Sequence, residues 1–227
     1  MTVKAVIFDM DGTIAAFNID YMAVRAEVRT LLLNAGLPAS LAAINESIFE
    51  MLKKAEIFLK NNGKSSRTIE AIREKALAIA EKFELEAAKK TTLLPGVAVT
   101  LKALKQQNMK LGLCTINSEK SVNYILSRFK IANYFDTLVP RNKVRHVKPH
   151  TEHLEMALKA LNVKPNEAVV VGDGEIDMKC AKDTGAIAVG ISSGISEQKD
   201  LVKAGANYII TALTDLPLLI EQLNKQP

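Results

Sequence analysis

Cysteine is scarce in this chain: its 227 residues hold two, Cys114 and Cys180. Two thiols build no disulfide framework, and no paired Cys/His spacing suggests zinc. Both lie inside apolar segments, which predicts small buried hydrophobes, although Cys114 adjoins a candidate site residue that a thiol reagent could disturb. Aromatics make up only 5%. Nucleic acid would find few stacking platforms here, and Lys and Arg are spread along helices among Glu residues. Long apolar runs are missing as well. Stretches such as Ala168-Val169-Val170-Val171 are far too short to cross a bilayer. The N-terminus has neither the basic segment nor the apolar stretch of a signal peptide. Internal repeats and low-complexity segments are also lacking. With 48% hydrophobic and 24% charged residues, what remains is globular composition. The expectation is a cytoplasmic protein, monomer or homodimer, with no membrane or nucleic-acid partner. Its length allows one large core, or a core plus a smaller domain. A net charge of +5 favours anionic partners.

Against that background, Asp9-Met10-Asp11-Gly12-Thr13 stands out. It ends the apolar run Val3-Lys4-Ala5-Val6-Ile7-Phe8, whose β-branched and aromatic residues read as a buried strand. Gly12 frees the backbone to turn. Asp9 and Asp11 therefore sit at the carboxyl end of a core strand, where open α/β sheets bind ligands. Residues i and i+2 share a face, so both carboxylates enter one small volume. Such a pair is costly unless a cation, a proton or hydrogen-bond donors offset it, and a divalent metal does so most economically.

A long stretch without a convincing strand follows. Helices are expected over Asp20–Leu33, about Ala39–Lys60, and about Ser65–Lys90, with breaks at Gly36-Leu37-Pro38 and Asn61-Asn62-Gly63. This block reads as an all-helical insertion, residues 17–92, in a core formed by 1–16 and 93–227. From Leu93 onward helices alternate with short strands at 110–115, 168–171, 186–189 and 208–210. That alternation predicts an α/β class with a doubly wound parallel sheet.

Three later segments carry complementary chemistry. Thr115 closes a strand before a helix, where a hydroxyl and free N–H groups suit a phosphate oxygen. A plain cap by Asn117 or Ser118 would explain the same pattern. Lys148-Pro149 precedes another helix; alone Lys148 reads as an ordinary solvated lysine, but inside an acidic metal site it could neutralise an aspartate and hold a phosphoryl oxygen. His146, His150 and His153 lack a ligand spacing and read as surface residues. Gly172-Asp173 ends a buried strand, and Asp177 lies one helical turn on, so the two offer oxygen ligands to a hard cation.

In order, these residues resemble the haloacid dehalogenase-like hydrolase superfamily, on its phosphatase branch. Its motifs match Asp9, Asp11 and Thr13, then Thr115, then Lys148-Pro149, and finally Gly172-Asp173 with Asp177. The resemblance implies a Rossmann-like core with a helical cap inserted after the first motif. It also implies a Mg²⁺-dependent, phosphoglycolate phosphatase-like enzyme acting on a small phosphorylated metabolite. Asp9 would be the nucleophile and Asp11 the general acid and base. Asp9, Asp11 through its backbone carbonyl, Asp173 and Asp177 would hold the metal, and Thr115, Asn117 and Lys148 the phosphoryl oxygens. The resemblance leaves open a phosphoryl-transferring mutase of the beta-phosphoglucomutase kind. Two departures concern substrate and not reaction class: Ile116 stands where Asn often follows Thr, with the Asn delayed to Asn117, and Ile14–Asn18 lacks a common Asp-Ser. Lys53, Lys54 and Arg67 are candidate substrate cations in the helical block, though a solvated helix face is the stronger reading of each.

Overall fold

The computed structural model describes residues 2–16, 18–192 and 196–225. The chain divides into two compact units, Met1–Asn18 with Lys90–Pro227, and Ile19–Lys89. Phe17, the first residue of the expected helical block, lies outside the described residues.

The larger unit is built on six parallel strands: β1 (Ala5–Phe8), β2 (Lys110–Thr115), β3 (Thr137–Pro140), β4 (Ala168–Gly172), β5 (Ile187–Ile191) and β6 (Tyr208–Ile210). Their order in the sheet is β3-β2-β1-β4-β5-β6. β1 is central, pairing Phe8 with Leu113 on one side and with Val171 on the other. That position explains its composition, since all four of its residues are buried. Burying one Ile or Phe side chain contributes roughly 1.5–3 kcal/mol, so such a strand specifies its own place in the core. Alternation directs Ala5 and Ile7 to the face covered by Leu154, Ala157 and Leu161, together with Met178. Those residues belong to α6 (Thr151–Leu161) and α7 (Glu175–Thr184). The chain steps from β1 outward to β3, then returns to the other side of β1 as β4. The point of reversal therefore lies between the carboxyl ends of β1 and β4, where a crevice forms in sheets of this kind.

The smaller unit is helical: α1 (Tyr21–Asn34), α2 (Ile48–Asn61) and α3 (Ser66–Lys90). Val28, Leu32, Met51, Leu59 and Ala76 share its separate core. The expected helix from 39 to 60 is shorter than its pattern. A single 3₁₀ turn at Ala39–Leu41 stands apart from α2, which begins only where the Ser47 hydroxyl accepts the Glu50 N–H at 3.2 Å. In the larger unit, the helices that alternate with the strands include α4 (Val97–Gln106) and α5 (Glu119–Arg128). Three elements went unanticipated: β3, α8 (Gln198–Ala204) and α9 (Leu216–Lys225). Among the described residues no helix is long and apolar enough to cross a membrane.

Candidate active site

The ends of β1, β2 and β4, and the loop before α6, deliver the site. The Asp9 N–H donates to the Val171 carbonyl at 2.9 Å, extending the ladder one residue past β1 and holding Asp9 against the end of β4. Gly12 then turns with φ of +71°, where a Cβ would overlap the Asp173 carboxylate. Only glycine satisfies both demands. At β4, Gly172 meets the demand for close approach alone, since a Cβ there would overlap the Asp177 carboxylate. Asp177, in the first turn of α7, accepts the Gly174 N–H through Oδ2 at 3.2 Å.

Oxygens of Asp9, Asp173 and Asp177 lie within 4.8 Å of one another. Into this trio Lys148 inserts its ammonium, donating to Asp9 Oδ1 at 2.8 Å and to Asp177 Oδ1 at 2.5 Å. The Lys148 side chain is 3% exposed and that of Asp177 1%. Burial alone would discharge the lysine, but Asp177 and Asp9 outweigh it and hold its pKa well above the ordinary value. The opposite happens to Asp177. Burial, with Asp9 and Asp173 adding repulsion, pushes its carboxyl up to about 7 against the pull of Lys148.

Three carboxyl groups converge beside one ammonium, and the proton that burial keeps on Asp177 marks a place that a divalent cation would take instead. Hard oxygen donors of this kind suit Mg²⁺. The donor set therefore fits the metal that the resemblance implies. Thr13 Oγ1 is also buried without a hydrogen-bond partner.

Asp177 makes the stability of the metal-free protein depend on pH. At the lowest pH its carboxyl is protonated in both folded and unfolded chains. Between about 4 and 7 only the unfolded chain releases the proton, so stability falls as pH rises through that window and the contribution is gone above it. Without metal, the melting temperature of the wild type is expected to decline more steeply from pH 4 to 7 than that of Asp177→Asn. Added Mg²⁺, which competes with the proton, flattens the decline. Parallel melting curves for the two proteins would contradict this.

Asp11, expected to face the metal through its backbone carbonyl, turns its side chain elsewhere. Its carboxylate is not in the trio, and its Oδ2 accepts from Asn117 Nδ2 at 2.6 Å. Asn117, expected to bind phosphate, thus spends a side-chain N–H on Asp11. Capping of α5 falls to Ser118, whose hydroxyl accepts from Ser121 N–H at 3.3 Å. Thr115 is buried at the end of β2, with Oγ1 accepting the Asn117 N–H at 3.2 Å. Arg141, which sequence reasoning missed, is buried behind this turn. Its backbone N–H donates to the Asn117 carbonyl and its guanidinium to that of Ile116, both at 3.0 Å.

The three histidines separate. His146 and His150 are exposed, and with Glu152 they form a hydrogen-bonded cluster at the start of α6. His146 Nδ1 meets Glu152 Oε2 at 2.6 Å, and His150 Nδ1 accepts the Glu152 N–H at 3.2 Å, so capping accounts for the group. His153 is fully buried, contrary to the surface expectation. Its position predicts as much: with Leu154, Ala157 and Leu161 it lies on the apolar stripe of α6. Both cysteines are buried, and burial raises both thiols, Cys180 to about 11, so neither is a ready nucleophile. In the helical unit Lys54 pairs with Glu46 at 2.5 Å, while Lys53 and Arg67 are exposed.

The sequence model of the haloacid dehalogenase-like hydrolase family matches residues 6–191, from β1 through β5. The chain belongs to that family. Among curated relatives of this haloacid dehalogenase-like hydrolase is the pyrophosphatase PpaX of Bacillus anthracis, 31% identical over 126 residues, which are 56% of this chain and 58% of the relative. PpaX of Bacillus mycoides is 31% identical over 55% of this chain and 58% of its own length. The chain thus spans somewhat over half the length of the curated relatives it matches. Solved structures share the fold. A beta-phosphoglucomutase from Clostridium difficile has a TM-score of 0.68 at 23% identity, covering 98% of this chain and 97% of the other. A hydrolase from Pseudomonas syringae has 0.66 at 23%, covering 98% and 100%.

Proposed function

We propose that this chain is a Mg²⁺-dependent phosphatase that hydrolyses a small phosphomonoester through an aspartyl-phosphate on Asp9. The observation that carries the reading is Lys148, buried and ion-paired to both Asp9 and Asp177. Lys148 holds Asp9 Oδ1 in an ion pair, which leaves Oδ2 for an incoming phosphorus. Asp9 Oδ2 attacks, forming the P–O bond as the bond to the leaving alkoxide breaks. Asp11, oriented by Asn117, donates its proton to that alkoxide. The resulting Asp11 carboxylate then takes a proton from water. This water attacks the phosphoryl group, the P–O bond to Asp9 breaks, and inorganic phosphate and the free Asp9 carboxylate are restored. Thr115 and Lys148 hold phosphoryl oxygens where charge develops. Asp9, Asp173 and Asp177, with the Asp11 backbone carbonyl, would hold Mg²⁺, which when bound neutralises charge between the anionic nucleophile and the anionic ester.

The second carboxylate separates reaction classes: displacing halide requires no proton for the leaving group, so an acid at Asp11 fits an alkoxide. A small phosphorylated metabolite is the proposed substrate class, with phosphoglycolate first and a role in the cytoplasm. Relatives named pyrophosphatase add inorganic pyrophosphate to the compounds worth testing. The test is phosphate release from phosphoglycolate, sugar phosphates, nucleoside monophosphates and pyrophosphate, with and without Mg²⁺. Mg²⁺-dependent release from at least one ester supports the reading. No release from any of them overturns it, and conversion of a hexose 1-phosphate to its isomer without free phosphate would establish a mutase instead.

A further inference from the structure

The loop bearing Lys148 belongs to no helix or strand, yet it must aim an ammonium at two carboxylates to within a few tenths of an ångström. Its anchor is His153. Nδ1 of this imidazole accepts the backbone N–H of Lys148 at 3.2 Å, and Nε2 donates to the carbonyl of Val139 at 2.9 Å. Val139 lies in β3, paired with Cys114 of β2, so the ring joins the lysine backbone to the sheet itself. The roles of the two nitrogens follow from their partners: a backbone N–H must donate and a carbonyl must accept, so the ring is neutral and carries its proton on Nε2. Burial, then the nearby Lys148 charge, lower its pKa to about 4, keeping it neutral throughout the working range. A lone carbonyl in its place would leave the Val139 carbonyl without this donor, and an apolar group would leave both partners without the ring.

We propose that His153 is a positioning residue for phosphoryl transfer, splinting the Lys148 backbone to β3 and thereby setting the ammonium between Asp9 and Asp177. The proposal rests on the phosphatase reading for its kinetic consequences, while its geometry stands apart from that reading. Misplacing a catalytic group by about 1 Å costs on the order of 100-fold in rate.

The experiment compares three variants. His153→Asn can still offer an oxygen near Nδ1 to the Lys148 N–H, but cannot reach Val139. His153→Gln can reach the Val139 carbonyl, but offers no acceptor near the Lys148 N–H. His153→Leu does neither. We expect kcat on the best ester to fall by about 10- to 100-fold in the Gln and Leu variants and to recover substantially in Asn. Melting temperatures should drop in all three. A purely structural histidine would lower stability alike in Asn and Gln and leave kcat per folded molecule unchanged, and that result overturns the proposal. A second measurement needs no activity. Long-range ¹H–¹⁵N spectra of the wild type should show His153 as the neutral Nε2–H tautomer at pH 7, whereas an imidazolium or the Nδ1–H tautomer overturns it. An inactive wild type defeats the phosphatase reading alone, and the tautomer then decides whether the splint exists.

Discussion

Asp9→Asn is expected to abolish phosphate release, by at least about 10⁴-fold, while the protein stays folded. An amide cannot attack phosphorus as a carboxylate does, and nothing else at the site replaces it: Asp173 and Asp177 sit beyond β4, and Asp177 is tied to Lys148 and to the Gly174 N–H. The substitution exchanges oxygen for nitrogen at nearly constant volume, so packing around the end of β1 is preserved. Electrostatics favour the variant. Removing one of three crowded negative charges relieves repulsion, and Lys148 keeps its bond to Asp177 at 2.5 Å. The metal-free variant should therefore melt at or above the wild-type temperature, although it binds Mg²⁺ more weakly for want of a ligand. Phosphate release and thermal melting measured side by side make the check. Loss of activity together with loss of folding would leave the nucleophile unassigned to Asp9, and activity within 10-fold of wild type would remove it from that role.

What could be read from the residues was whatever the chain repeats along its own length. β1 and β4 are dense β-branched runs because both are buried on both faces, and each delivers an aspartate followed closely by glycine. That conjunction is enough to place the site at strand ends. Elements lacking a local signature escaped. β3 is an edge strand of four residues that ends in Pro140, a residue tolerated there because the edge needs no N–H. The α8 segment buries only Leu201, too little to mark an apolar stripe. Within the site, the sequence placed Asp9, Asp173, Asp177 and Lys148 on separate elements that the fold then brings together. It could not apportion hydrogen bonds. Asn117 and Thr115 adjoin one another in a turn suited to phosphate, yet the Asn117 side chain turns to Asp11, 106 residues away in sequence. His153 was hidden for a similar reason: spacing among three histidines tests for a shared metal, and this histidine works alone, between a carbonyl and an N–H.

Asp11→Asn should separate the two halves of the reaction. The carboxylates that gather as a cation site are Asp9, Asp173 and Asp177, so the variant is expected to bind Mg²⁺ with wild-type affinity. The new amide can present its oxygen to Asn117 Nδ2 and keep its place, so this change too is structurally quiet. Lost are the proton for the leaving alkoxide and the base that activates water, and general acid–base catalysis of this sort is worth about 10²–10⁴-fold. The loss depends on the ester. An alkyl phosphate, whose alkoxide leaves only when protonated, should be turned over slower by that full factor. A nitrophenyl phosphate needs little help in the first step, so Asp9 should still be phosphorylated. The second step then stalls, and the variant should release one nitrophenolate per molecule in a burst while retaining phosphate on Asp9. Rapid-mixing absorbance and a mass increase of one phosphoryl group would report both. Hydrolysis of alkyl esters at the wild-type rate would show that Asp11 is not the acid, and a collapse of Mg²⁺ affinity would return its side chain to the metal.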